Sequence, residues 1–148
     1  DWIKVYADYR VGADGSTQPT FTQAELDAIV EAAHLGGRPV SAHTASDAGM
    51  RMSIAAGVDS IEHGDGGSAA TFKSMREHGV AYLPTLTAVE ATETYFNHYQ
   101  PGDPPTPKMQ QAAQAFRYAR AAGVTIKDIA TEDPDLEDVF VSLTTAGA

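Results

Sequence analysis

Residues 39–63 read PVSAHTASDAGMRMSIAAGVDSIEH, and this stretch decides the fold. Its two ends, PVSAH (39–43) and VDSIEH (58–63), are short, apolar and β-prone, as strands are. Between them Ser46 and Asp47 stand where a helix is capped, and Gly57 stops that helix just after Ala56. Strand, helix and strand in this order form a βαβ unit, the building block of a parallel sheet.

The same rhythm extends outward in both directions. Upstream, residues 2–7 (WIKVYA) read as a strand and residues 12–19 as a Gly-, Asp- and Ser-rich loop. Thr22 with Glu25 three residues later forms a capping-box pattern. Leu26, Ile29, Val30 and Ala33 then recur at helical spacing until Gly36 and Gly37. Downstream, residues 68–78 read as a helix with Phe72 and Met75 facing inward, and residues 80–84 (VAYLP) as a fourth strand. A helical region spans 86–99, and a loop with four prolines spans 101–107. A helix over 108–122 ends at Gly123, and residues 124–126 open a fifth strand. The reading predicts an α/β fold with a parallel sheet.

The rhythm stops after Ile126. KDIATEDPD follows, then an amphipathic helix over 136–143 with Leu136, Val139, Phe140 and Leu143 on one face. From Lys127 onward one basic residue stands against six acidic ones, so half of the net charge of −10 lies in the last 22 residues. Two regions are therefore expected: 1–126, the α/β body, and 127–148, an acidic tail of different origin. The chain begins at Asp1 and opens directly on an apolar segment, which reads as a truncated or fragmentary frame.

Composition narrows the function classes. At 148 residues, 43% hydrophobic and 20% charged, the sequence suits one globular domain. The negative charge argues against nucleic acid, which requires clustered Lys and Arg. No apolar run is long enough for a membrane span. With no cysteine, disulfides and thiolate metal sites are excluded, so any metal must be held by His or carboxylate-like groups. The compartment stays open between cytoplasm and export.

Three ionisable residues fall at the places where parallel α/β folds gather ligands, the carboxyl ends of strands. Lys4 lies within the first strand, and His43 and His63 end the second and third. Alternation along a strand puts Trp2, Lys4 and Tyr6 on one face, Ser41 with His43, and Ile61 with His63. One geometry brings Lys4, His43 and His63 into a single mouth. An ammonium group has donors only and cannot bind a metal. A neutral lysine can capture carbon dioxide as a carbamate, whose two oxygens bridge two divalent ions. Beside imidazoles, such a site suits zinc. His34, His78 and His98 lie on helices or helix ends and read as surface residues.

These residues carry a resemblance. DWIKVYADYR (1–10), GRPVSAHT (37–44) and AGVDSIEHG (56–64) resemble the amidohydrolase superfamily, in its imidazolonepropionase-like and Xaa-Pro dipeptidase-like branch. The resemblance spans residues 1–126. It implies a (β/α)8 barrel of which this chain holds strands four to seven and the start of the eighth. It also implies hydrolysis of a C–N bond, in an amide, peptide or cyclic amide, by metal-activated water. Lys4 matches the carboxylated bridging lysine, and His43 and His63 match the two histidines of one metal. Tyr6 and Arg10 are expected to meet substrate, Arg10 through a carboxylate.

The departures are as specific as the matches. The family's His-x-His pair has no counterpart here, and neither has the aspartate ending its eighth strand, which acts as general base. Asp128 comes too early to replace it. No catalytic residue is therefore assigned. The alternative expectation is an inactive half barrel or fusion product that acts, if at all, by self-association through its open edges. DPDLEDVFVSLTTAG (133–147) resembles the C-terminus of an ABC-transporter ATPase subunit. No Walker A motif accompanies it, so nucleotide binding does not follow.

Overall fold

The computed structural model describes residues 1–127. The expected helix over 136–143 and all but the first residue of the acidic tail lie outside the described residues. In chain order the elements are β1 (Ile3–Tyr6), β2 (Arg10–Val11), β3 (Thr17–Gln18), α1 (Gln23–Leu35), β4 (Val40–Thr44), α2 (Asp47–Ala56), β5 (Ser60–His63), α3 (Ala69–His78), β6 (Ala81–Leu83), α4 (Leu86–Asn97) and α5 (Pro107–Ala122).

Four strands form one parallel sheet in the order β1-β4-β5-β6. Each main strand lies beside the one before it, and the order never reverses. A doubly wound sheet reverses midway and places helices on both faces, whereas a barrel winds in one direction. Right-handed crossovers repeated in one direction stack all the helices on one side. The chain is thus an α/β partial barrel. The expected fifth strand over 124–126 shrinks to a single bridge, Ile126 beside Tyr82. Its backbone still joins the sheet, through Tyr82 N–H to the Thr125 carbonyl at 2.8 Å and Lys127 N–H to the Tyr82 carbonyl at 2.9 Å.

The helices form where their caps and apolar stripes dictate. Thr22 and Glu25 make the capping box reciprocally: Glu25 N–H donates to Thr22 Oγ1 at 3.3 Å, and Thr22 N–H to Glu25 Oε2 at 2.8 Å. Ser46, Ser68 and Thr106 cap α2, α3 and α5 through their hydroxyls. The last turns of α2, α3 and α5 run into Gly57, Gly79 and Gly123, each in the left-handed conformation that glycine tolerates best. Leu26, Val30, Met50, Ile54, Phe72, Met75, Ala115 and Ala119 then meet Val5, Val40, Ala42, Ile61 and Tyr82 in one core. Each large side chain buried there contributes about 1.5–3 kcal/mol relative to exposure.

One part of the expected loop over 12–19 is regular. Residues 10–11 pair antiparallel with 17–18, closed by Gly12 N–H to the Ser16 carbonyl at 2.8 Å. The composition of residues 12–19 signals the turn, but the two strands that it joins have two residues each, too short to show alternation.

Carboxylates, two of them buried, tie the segments at the carboxyl edge of the sheet to one another. Asp8, just after β1, is 1% exposed. It accepts from Ala45 N–H at 2.8 Å, Ser46 N–H at 2.7 Å and Ser46 Oγ at 2.6 Å, and so fixes the start of α2. Gly49 leaves the room, because a Cβ there would run into the Asp8 carboxylate. Asp47, just after β4, repeats the device one unit on. It accepts from Ser68 N–H at 2.8 Å and Thr71 Oγ1 at 2.5 Å at the start of α3. Asp65, just after β5, reaches Lys108 of α5 at 2.7 Å. At α2 and α3 the start of the helix is held by the carboxylate of the unit before it.

Candidate metal centre

The register of the sheet places the site residues in two layers on the face away from the helices. Lys4 lies beside Ser41, and Ser41 beside Ser60. One layer toward the carboxyl end, Tyr6 lies beside His43, and His43 beside Glu62. By strict alternation His63 belongs with Ile61, which is fully buried under the helices. The expected grouping of Ile61 with His63 on one face therefore needs correction. His63 has φ +67°, a left-handed turn of the backbone. That turn carries its side chain round to the mouth, where its ring centroid lies 4.5 Å from that of His43, edge to face.

Both imidazoles are held below their ordinary pKa. For His43, burial is the main cause, helped by nearby His63 and Lys4 and opposed by Asp8 and Glu62. For His63, burial again leads, opposed by Asp65 and Glu62, with Lys4 and Lys108 adding to the depression. Two neutral imidazoles on adjacent strand ends are donors suited to a divalent ion.

Lys4 stands where the sequence placed it, but its ammonium is engaged. It donates to Glu62 Oε2, and Glu62 Oε1 accepts from Ser41 Oγ at 2.8 Å. Burial alone raises the Glu62 carboxyl, yet the hydrogen bonds from Lys4 and Ser41 outweigh it and hold the pKa below the ordinary carboxylate value. Lys4 is about one-third exposed, at the edge of a cavity of about 390 Å³ that Trp2, Ser41, Ser60, Glu62, Leu83 and Lys127 also line.

Tyr6 joins the cluster. Its ring lies 4.8 Å from that of His43, and Tyr9 stands 5.4 Å from Tyr6 and 5.9 Å from His43. The two tyrosines form an aromatic wall at the mouth, with Tyr6 48% and Tyr9 69% exposed. Arg10 is exposed on the hairpin strand β2 opposite Gln18.

Four further residues hold this arrangement. Glu62 was hidden inside the SIEH motif; alternation from His43's neighbour is the signal that finds it. Tyr82 donates its hydroxyl to the His63 carbonyl at 2.7 Å, and Thr85 Oγ1 lies 2.6 Å from His63 Nδ1. Asp65 is 4% exposed, and its Oδ1 has no partner among the described residues. Tyr82, Thr85 and Asp65 act across loops, a relation that no spacing in the sequence records.

The donor chemistry fits a divalent ion in part. His43 and His63 bring two imidazole rings together, with centroids 4.5 Å apart. Among the described residues no group of three or more His, Asp or Glu side chains comes together to complete a shell.

Residues 1–147 match the amidohydrolase family, and the chain belongs to that family. It is 37% identical over 89 residues to an uncharacterized protein of Mycobacterium tuberculosis, a match covering 60% of this chain and 24% of that protein. It is also 37% identical over 90 residues to the ochratoxinase of Aspergillus niger, covering 60% of this chain and 19% of the enzyme. Among solved structures, a Xaa-Pro dipeptidase with bound methionine in its active site superposes with a TM-score of 0.68 at 32% identity, over 100% of this chain and 39% of that one. The ochratoxinase structure gives 0.70 at 30% identity, over 86% and 30%. The chain thus spans about a quarter of the length of the first curated relatives it matches.

Proposed function

We propose that Lys4, His43 and His63 form one half of a metal centre that hydrolyses a C–N bond, in an amide, peptide or cyclic amide. The observation that carries this reading is the convergence of two neutral imidazoles at adjacent strand ends, 4.5 Å apart, above a lysine. Similarity to a Xaa-Pro dipeptidase and to ochratoxinase supports the bond class.

His43 and His63 would hold the ion, with zinc the expected metal. Lys4 would complete the shell as a carbamate, formed when its ammonium loses one proton and Nζ then adds carbon dioxide with release of a second. A divalent ion bound here supplies Lewis acidity, making water a better nucleophile and a carbonyl a better electrophile. Tyr6 lines the approach beside His43, and its aromatic face suits an apolar part of the substrate. Arg10 offers a planar fork of donors to a substrate carboxylate. No general base is assigned within residues 1–127, so in this reading turnover needs groups beyond those described.

The test is metal content. The chain purified from cells supplied with zinc and bicarbonate is expected to carry about one zinc, lost in His43→Ala. A folded chain without zinc overturns the reading.

A second reading has its own observation. Trp2 is 51% and Tyr6 48% exposed on the sheet face that no helix among the described residues covers. Open edges and an uncovered face favour self-association of an inactive half barrel. A monodisperse monomer in light scattering contradicts this second reading.

A further inference from the structure

Five helices begin within the described residues, and each has Ser or Thr at its N-cap. In four of them the cap hydroxyl accepts from a backbone N–H of the first turn, which is the ordinary use of such a residue. Thr85, at the start of α4, is the exception. It makes no side-chain cap bond, and its backbone is left-handed, φ +47° and ψ +42°. For a β-branched residue that conformation is a genuine outlier. Its hydroxyl lies instead 2.6 Å from His63 Nδ1.

His63 is left-handed too, at φ +67°. Two strained residues on adjacent units of the barrel are thus joined side chain to side chain. Tyr82, three residues before Thr85, also donates to the His63 carbonyl at 2.7 Å. The β6 strand and the turn after it therefore grip His63 at both its backbone and its ring. Strain of this kind persists where surrounding structure over-determines it, and it gathers at functional sites.

We infer that Thr85 is a positioning residue for His63: its hydroxyl oxygen accepts the Nδ1 proton, fixes the ring in the Nδ1–H tautomer, and leaves the Nε2 lone pair free for the ion. In a neutral imidazole one nitrogen donates and the other accepts, so fixing one end fixes the other. Were the hydroxyl the donor, Nε2 would carry the proton and could not bind a metal. The inference rests on the metal-centre reading above, but its spectroscopic test does not require a metal.

The experiment is 15N NMR of the imidazoles in the metal-free chain at a pH where both are neutral, beside Thr85→Val and Thr85→Ser. Nitrogen shifts distinguish a protonated nitrogen from an unprotonated one. His63 is expected as the Nδ1–H tautomer in the native chain and in Thr85→Ser. Thr85→Val keeps the shape but removes the acceptor, and should move the population toward Nε2–H. Zinc affinity, measured by competition with a chromophoric chelator, should fall tenfold or more in Thr85→Val and stay within about twofold in Thr85→Ser, as expected for a partner behind a metal-binding histidine. Native His63 found as Nε2–H overturns the inference, as does a Thr85→Val chain with unchanged tautomer. If Thr85→Val fails to fold, the native spectrum alone decides. A native Nδ1–H signal that Thr85→Val shifts, in a chain that takes up no zinc, upholds the positioning role and overturns the metal-centre reading instead.

Discussion

The two faces of the sheet differ in almost everything that matters. On the face under the helices, Val40, Ala42, Ile61 and Tyr82 are completely or almost completely buried and meet Met50, Phe72 and Met75. On the other face stand Lys4, Tyr6, His43 and Glu62, with Trp2 half exposed at its edge. Apolar packing is concentrated on the first face and ionisable side chains on the second. A side chain on the chemical face can be charged and strained because the apolar face already holds the strands in register. The same division explains why His63 leaves its expected face: only the left-handed turn at its own backbone moves it from the packed side to the reactive one.

The strongest way to break this division is to damage the packed face. Phe72 is fully buried and meets the Tyr82 ring edge-on at 5.0 Å between centroids. Phe72→Ala is expected to cost about 3–5 kcal/mol, the range for emptying a packed aromatic site. Chemical denaturation measures it. A loss under 1 kcal/mol would mean that this face is not the core.

The loop ties come next. Asp8→Ala removes a carboxylate that takes three hydrogen bonds and leaves the Ala45 and Ser46 amides unpaired. The expected cost is about 2–3 kcal/mol, the penalty for buried donors left without partners. The start of α2 should also lose protection in amide exchange. Unchanged protection there would show that Asp8 is not what fixes the loop.

Acid acts on the chemical face. Burial lowers the pKa of both His43 and His63 in the folded chain, while an unfolded imidazole titrates near about 6.5. Below that value the unfolded chain takes up protons that the folded chain refuses. The stability from this pair is therefore fully present above about pH 6.5 and declines as pH falls through it toward the folded values. The depressed carboxyls of Glu62, Asp47 and Asp59 add a loss of the same sign at lower pH. Denaturation midpoints at pH 7.5 and 5.5 test the pair: replacing both histidines by glutamine should flatten the difference between them. If the slope survives in that double variant, other groups carry it.

The two faces were not equally legible in the sequence. Periodicity found the packed face almost completely: Leu26, Val30, Phe72 and Met75 recur at helical spacing, and caps such as Thr22 and Ser46 are local signals. Lys4, His43 and His63 were also legible, because strand ends can be read from the apolar runs before them. What stayed hidden was long-range or conformational. Glu62 meets Lys4 across 58 positions of chain, and Asp8 meets Ser46 across 38. Nothing local in the sequence announces that the Thr85 hydroxyl is directed away from its own helix. The β2–β3 hairpin was missed because two residues cannot display a period of two.

Glu62→Gln separates packing from chemistry more finely. The Lys4–Glu62 pair is partly exposed, so losing it should cost only about 0.2–1 kcal/mol. Its effect on Lys4 should be larger and opposite in sense. A carboxylate beside Nζ engages it in an ion pair, and it would repel a carbamate once that formed. Glu62→Gln removes both effects, so zinc retention at low bicarbonate should rise relative to the native chain. Lower retention would mean that Glu62 supports the centre and does not compete with it.

The smallest expected effect discriminates best between the two readings of the open face. Trp2 is 51% exposed, with the Lys127 ammonium 5.8 Å from its ring centroid. In a monomer, Trp2→Ser should change stability by about 0.5 kcal/mol or less, as most exposed substitutions do. If a second copy covers this face, the same substitution removes a buried aromatic anchor, and such anchors often contribute 2 kcal/mol or more. Stability would then depend on protein concentration in the native chain and lose that dependence in the variant. Denaturation of both chains across a hundredfold range of concentration makes the comparison. Coincident, concentration-independent curves leave the open face free for metal and substrate; curves that spread apart only in the native chain make it an interface first.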